Sequence, residues 1–323
     1  MSRFDSFLGP LMEQYLSHRQ NLGYGIKPSL SHLRIFDRYL KRKKSRQERL
    51  EPLFFLEMRS ELKFEPRSVN RIIASTRVFF HYLVRRGYYQ ENPVKDVPYL
   101  PEWTSIPYIF SESEIDRLLE AVIGRIRRNQ RYFLKDFSQY MAILLMARCG
   151  LRIAETIRLC RHQYRPDEKT LYIEKTKFKK DRLIPIPRPI WREMDNYLAL
   201  RDAWAATDNP FLLAGLDKRS LCDARIRPMF SDAVKDIGLD QPRQRIANTI
   251  ISPPSPHSLR HSFAVNILKQ VKERGASAQN ALPILAVYMG HSEYKHTVKY
   301  LKLADANHHR RITRFLSSKK ACP

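Results

Sequence analysis

Four short stretches place charged or nucleophilic side chains where a reacting group would be useful. In Cys149-Gly150-Leu151-Arg152-Ile153-Ala154-Glu155, an arginine stands at the turn between two expected helices. A guanidinium there can grip two phosphate oxygens as a bidentate fork. Glu155 lies one turn later and can orient it; an ordinary Arg–Glu helix pair is the plainer alternative. In Pro256-His257-Ser258-Leu259-Arg260-His261-Ser262-Phe263-Ala264, His257 and Arg260 are three apart and share a helix face. A histidine moves protons near neutral pH while an arginine neutralises phosphate charge. Met289-Gly290-His291 is followed nine residues after the histidine by Tyr300. A tyrosine can attack phosphorus when its proton is removed and the anionic transition state is stabilised. Between two expected strands, 175–182 reads KTKFKKDR. A lysine on such a hairpin tip reaches a DNA groove or a phosphate, and Lys177 is one candidate among several; a solvated basic turn is the alternative. Taken one at a time, each stretch has a bland structural reading.

The elements that must hold these residues follow from periodicity. Residues 1–92 read as mostly helical. Leu30, Leu33, Phe36 and Leu40 form one apolar face after Pro28-Ser29. Val69, Ile72, Ile73, Thr76, Phe79, Phe80 and Leu83 keep the 3.6-residue period, from an N-cap expected at Ser68 to Gly87. Arg71, Arg77, Arg85 and Arg86 lie on or near this second helix, where a solvated face is the ordinary reading. Residues 93–107 carry four prolines and read as an extended linker. Ser111 and Glu114 make a capping box that opens a second domain over 108–323. Phe137 to Cys149 is nearly all apolar and reads as a buried helix stopped by Gly150. A further helix is expected from Ile153 to Leu159. Leu171-Tyr172-Ile173 and Leu183, Ile184 and Ile186 read as strands. A longer loop is expected around Lys272 to Gln279. The fold class is mainly α with a small β-hairpin, in two domains.

Composition narrows the partner. The 323 residues carry a net charge of +25, with nineteen basic against ten acidic residues in 1–100 and 39 against 23 beyond. Charge spread over both halves points to a polyanion gripped by both, nucleic acid first. There is no apolar run long enough to span a bilayer and no secretory signal, so a cytoplasmic, nucleoid-associated protein without membrane or small-molecule partners is expected. Cys149, Cys160, Cys222 and Cys322 form no CxxC pair and read as free thiols. No repeat and no glycine-rich phosphate cradle occurs.

Taken together, the ordered blocks resemble the tyrosine recombinase (phage integrase) family, over nearly the whole chain. They are Gly150-Leu151-Arg152 with Glu155, Lys180-Asp181-Arg182-Leu183-Ile184-Pro185, His257 to Ala264, and Gly290-His291 with Tyr300. The N-terminal region is similar to the family's helical core-binding domain, ending in the 68–87 helix and an Asn92-Pro93 step. The chain departs in having Met289 where a leucine is usual, and Thr176 and Phe178 where glycines flank the hairpin lysine. Lys177 is therefore preferred with Lys175 and Lys179 as alternates. Tyr288 and Tyr294 lack the nine-residue step from His291.

The resemblance implies a site-specific recombinase or integrase, of mobile-element or transposon type. Such an enzyme cleaves and rejoins double-stranded DNA through a 3′-phosphotyrosyl bond, without metal, cofactor or ATP. Tyr300 would be the nucleophile, Arg152 and Arg260 the phosphate clamp, and His291 a donor. His257 would be the base, Lys177 the leaving-group acid and Glu155 a support. A homotetramer on two DNA sites is implied, with a clamp of two basic domains round the duplex. The tail beyond Tyr300, with Ile312, Phe315 and Leu316 at helical spacing, is expected to dock on a neighbouring protomer. Alternatives are an inactive DNA-binding relative, a type IB topoisomerase-like relaxing enzyme, and an RNA-binding or nucleoid protein explained by charge alone.

Overall fold

The computed structural model describes residues 4–43, 50–174, 181–204, 209–214, 219–291 and 293–305. They divide into two compact units, one of residues 1–104 with 247–249, the other of 105–246 with 250–323.

The first unit contains α1 (Gly9–Asn21), α2 (Lys27–Arg42), α3 (Pro52–Glu61) and α4 (Pro66–Arg85). Each of the four has a proline in its first turn, where the absent N–H would have no partner in any case. This is why α4 starts at Pro66, two residues before the expected cap at Ser68. Its apolar stripe is the expected one: Val69, Ile72, Ile73, Phe79, Phe80 and Leu83 are buried. Phe80 is the centre of an aromatic cluster, edge-on to Phe55 at 5.2 Å and to Tyr89 at 5.0 Å.

The proline-rich segment after Asn92 is fastened to this unit as far as Leu100. Arg77 donates from Nε to Val94 O and from Nη2 to Val97 O, at 2.9 and 2.7 Å. Asn70 pairs with Leu100 through both its amide groups at 2.8 Å. Val94 and Val97 are buried in the same core. Segment 93–100 therefore packs as part of the first unit, because the prolines leave its carbonyls without ladder partners and α4 supplies donors.

The division falls within β1 (Thr104–Ile106), and the second unit continues with α5 (Glu112–Gly124) and α6 (Gln130–Arg148). The capping box is present: Glu114 N–H donates to Ser111 Oγ at 3.2 Å and Ser111 N–H to Glu114 Oε2 at 2.7 Å. α6 is apolar on all sides through Met141, Ile143, Leu145 and Met146, and so is the helix the others surround. α5, α8 (Arg188–Trp204), α9 (Asp223–Asp236) and α10 (Pro256–Glu273) pack against it. Before α8 come the single turn α7 (Ile153–Thr156) and β2 (Tyr164–Arg165), β3 (Thr170–Ile173) and β4 (Arg182–Pro185), an antiparallel sheet in that order. Between α9 and α10 lie β5 (Gln244–Ile246) and β6 (Thr249–Ile251), in a sheet ordered β1-β6-β5. α11 (Ala278–Met289) and α12 (Lys295–Asp305) close the described chain on α10, with Leu268, Leu282, Leu285 and Tyr300 in their shared core.

Two expectations change. The helix expected over Ile153–Leu159 stops at Thr156, since the chain must turn to reach the sheet. The longer loop expected at Lys272–Gln279 is four residues, 274–277, because the extra length is taken up by α10 and α11, with Gly275 at φ +77° making the bend. Cys149, Cys160 and Cys222 are free thiols, and Cys322 lies outside the described residues. No described helix is long and apolar enough to cross a membrane.

Candidate active site

The site grows from two glycines. Gly150 ends α6 in the left-handed region at φ +61°, and a Cβ there would stand 2.5 Å from the Phe263 ring. The bare backbone lets α10 come close enough for Arg260 Nη1 to donate to Gly150 O at 2.5 Å. Gly290 ends α11 in the same conformation, and a Cβ there would meet Arg182 Nη1 at 2.9 Å.

The end of α11 is where the arginines meet. A helix C-terminus leaves carbonyls unpaired and carries partial negative charge. Here three successive carbonyls each take a different guanidinium. Arg182 Nε donates to Tyr288 O at 2.8 Å, Arg260 Nη2 to Met289 O, and Arg152 Nη2 to Gly290 O at 3.3 Å. Arg182 reaches it because the β3–β4 register pairs it with Ile173 on the buried face of the hairpin.

Glu155 holds the same three arginines from the other side. Its carboxylate accepts from Arg152 Nη1 at 2.6 Å, from Arg152 N–H at 3.0 Å and from Arg182 Nη2 at 2.8 Å, with Arg260 Nη1 at 3.8 Å. Burial alone would raise its pKa. The hydrogen bond and charge of Arg182, then Arg152, overcome that and hold it down at about 2. Arg260, 1% exposed, is pushed down to about 9 by burial and then by Arg152, which leaves it charged at neutral pH. Arg152 keeps about a quarter of its side chain in solvent and so has donors open to an incoming anion.

Tyr300 stands on α12, 5% exposed, between two imidazoles. Its Oη lies 3.0 Å from His261 Nδ1, and its ring stacks on His291 at 5.9 Å. His291 is fixed through Nδ1 by Thr297 Oγ1 at 2.7 Å. Burial raises the Tyr300 pKa, while the charges of Arg260 and Arg152 pull it back, so both guanidiniums act on the phenol. His257, in the first turn of α10, keeps an exposed edge and stands edge-on to His261 at 4.5 Å. Its pKa is lowered by loss of water first, then by Arg260 and Arg152. His261 and His291 are both pushed down to about 3, again by burial first, so all three rings are neutral near pH 7.

Of the residues singled out in the sequence, Arg152, Glu155, His257, Arg260, His291 and Tyr300 come together here. Lys177 and its alternates Lys175 and Lys179 lie outside the described residues. Sequence reasoning quoted Arg182 and His261 within motifs but gave them no role. Inward placement of a charged residue on an alternating strand was the signal for Arg182. For His261 the signal was its i, i+4 step from His257 on one helix face. Thr297 carried none.

Residues 110–307 match the model of the phage integrase family, well over half of the chain. The chain belongs to that family, the tyrosine recombinases. The integrase/recombinase-type protein y4rE of Sinorhizobium fredii is 31% identical over 314 residues, 93% of each chain. Tyrosine recombinase XerD of Brucella suis is 25% identical over 253 residues, 77% of this chain and 76% of its own. Among solved structures, the fold is similar to a lambda integrase dimer bound to a COC′ core site, with TM-score 0.64 and 16% identity over 93% of this chain and 78% of that one. It is equally similar to the Tn1549 transposon integrase in complex with a circular intermediate DNA, with TM-score 0.64 and 16% identity over 90% and 93%.

Proposed function

We propose that this protein is a site-specific DNA recombinase that breaks and rejoins strands through a covalent bond between Tyr300 and a 3′-phosphate. The observation that carries this is the buried Tyr300 hydroxyl, hydrogen-bonded to His261 and lying in the field of Arg152 and Arg260. Tyr300 Oη attacks the scissile phosphorus, and the 5′-oxygen leaves with a proton, for which Lys177 is the candidate donor. Charge building on the non-bridging oxygens is met by Arg152 and Arg260, with His291 beside them. His257 is the sequence's candidate for the base. A 5′-hydroxyl from another strand then attacks the phosphotyrosyl bond and releases Tyr300. Phosphodiester is exchanged for phosphotyrosyl and back, so the reaction needs no ATP. The DNA bound in the similar solved proteins, a core site and a transposon circular intermediate, supports duplex DNA as the substrate and a mobile-element setting. Four protomers on two sites would carry out a full exchange.

The test is covalent trapping. Wild type and Tyr300→Phe are offered nicked duplexes built from the DNA flanking the gene, with EDTA present. The wild type should give an SDS-resistant protein–DNA adduct and Tyr300→Phe none. An adduct surviving Tyr300→Phe would move the nucleophile elsewhere, Tyr294 first.

A further inference from the structure

Two histidines on one face of α10 compete for the proton of Tyr300, and only one of them touches it. His261 Nδ1 is 3.0 Å from Tyr300 Oη. His257 stands one turn nearer the helix start, edge-on to the His261 ring at 4.5 Å, and is itself exposed. We propose that His261 is a catalytic base of this site, taking the Tyr300 proton directly on Nδ1, and that His257 acts on Tyr300 through His261. This rests on the recombinase reading above and changes the residue expected to serve as base.

The chemistry balances within the site. As the bond from Tyr300 Oη to phosphorus forms, its hydrogen passes to His261 Nδ1, the phosphorus–O5′ bond breaks and O5′ takes a proton from the leaving-group acid, for which Lys177 is the candidate. When a 5′-hydroxyl later attacks, its proton goes to that same group, the Oη–phosphorus bond breaks and Nδ1 returns the proton to Tyr300. His261 must carry its own resting proton on Nε2 for Nδ1 to accept. A hydroxyl whose hydrogen points at His261 also turns its lone pairs away from that ring, free for phosphorus. The groups facing His261 are His257 and Arg260 from its own helix, His291 from the turn after α11, and Tyr300 from α12. Burial first, then His257, Arg260 and His291, push its pKa down to about 3 and keep the ring neutral. Two things change on the reaction path. A bound phosphodiester brings a negative charge that favours the imidazolium. Oη also becomes strongly acidic as its bond to phosphorus forms, so a weak base suffices late in the step.

The experiment uses the full chain and the nicked duplex, first with wild type and Tyr300→Phe. If wild type gives no adduct, the recombinase reading itself fails, and this role with it. With that adduct in hand, His261→Asn is the deciding variant. Asn keeps a hydrogen-bond acceptor close to the Nδ1 position but cannot take a proton. Its adduct formation should fall by about 10²-fold or more, within the range of general acid–base catalysis, with DNA binding unchanged. A 5′-bridging phosphorothiolate duplex, whose leaving sulfur needs no proton, should not restore it, whereas a leaving-group acid variant would be restored. His261→Asn within a few-fold of wild type, or rescue by the thiolate leaving group, overturns the proposal. Should His261→Asn not fold, the imidazole nitrogens of ¹⁵N-histidine-labelled wild type decide. Nδ1 of His261 should resonate as an acceptor and move in Tyr300→Phe; a protonated Nδ1 would overturn it.

Discussion

Glu155 shows how much of this site is electrostatic scaffolding. One buried carboxylate offsets part of the charge where three guanidiniums converge, and so helps Arg182 and Arg260 to sit almost out of water. Its folded pKa of about 2 lies below the ordinary 4.5, so the unfolded chain binds its proton first as pH falls. The stabilisation is complete above pH 4.5 and is lost as pH falls towards 2. The shift corresponds to roughly 3 kcal/mol. Glu155→Gln should lower stability by about that amount at neutral pH, read by denaturant unfolding, and should flatten the acid limb; an unchanged midpoint would show that the arginines are held by the α11 carbonyls alone. The histidines act at higher pH. His261 and His291 titrate near 3 folded against 6.5 unfolded, so they favour the fold above pH 6.5 and progressively less below it. The sequence singled out Arg152, Arg260, His291 and Tyr300 through the order of its blocks and their family resemblance, and the fold brings these four together. The bond between His261 and Tyr300 was not, since it joins residues 39 apart through helix packing that no local pattern encodes. Arg182 stayed unread because its inward direction depends on strand register.

At the scale of elements, the geometry of the candidate site depends on where helices stop. α6 and α11 each end on a left-handed glycine, and each end delivers its carbonyls to arginines of the site. Gly150→Ala should cost about 1–2 kcal/mol from the backbone alone, and more because the Phe263 ring, 2.5 Å from the new Cβ, must move. The same shift would separate Gly150 O from Arg260, so adduct formation should fall more than stability predicts. Thermal unfolding and trapping on one preparation check this, and equal losses in both would argue against the coupling. The sequence announced most elements through periodicity and caps, including the Ser111–Glu114 box and the buried α6. It misjudged the start of α4, the short α7 and the 274–277 turn, because a first-turn proline, a turn toward a sheet and a helix-to-helix bend depend on neighbours. The proline-rich stretch looked free because prolines discourage regular structure. Asn70 and Arg77 nevertheless pin it, through bonds that a one-dimensional reading does not contain.

For the whole molecule, a net charge of +25 shared by both halves is expected to make phosphate contact a large source of DNA affinity. Binding to the flanking-DNA duplex should weaken by about 10³-fold or more between roughly 50 and 200 mM salt. A shallow dependence would mean that few of these charges face DNA. Charge and motif order pointed to a nucleic-acid partner, whereas the recognised sequence depends on side chains whose partners would be bases. The central claim is narrower than DNA binding: Tyr300 becomes covalently joined to a 3′-phosphate. The most direct measurement is mass spectrometry of the trapped adduct after nuclease trimming and trypsin, which cuts after Lys299 and Lys302. The nucleotide should be found on the peptide Tyr300-Leu301-Lys302, linked through its 3′-phosphate. A nucleotide on the peptide that ends at Lys295 and contains Tyr294, or one joined through a 5′-phosphate, would contradict the account.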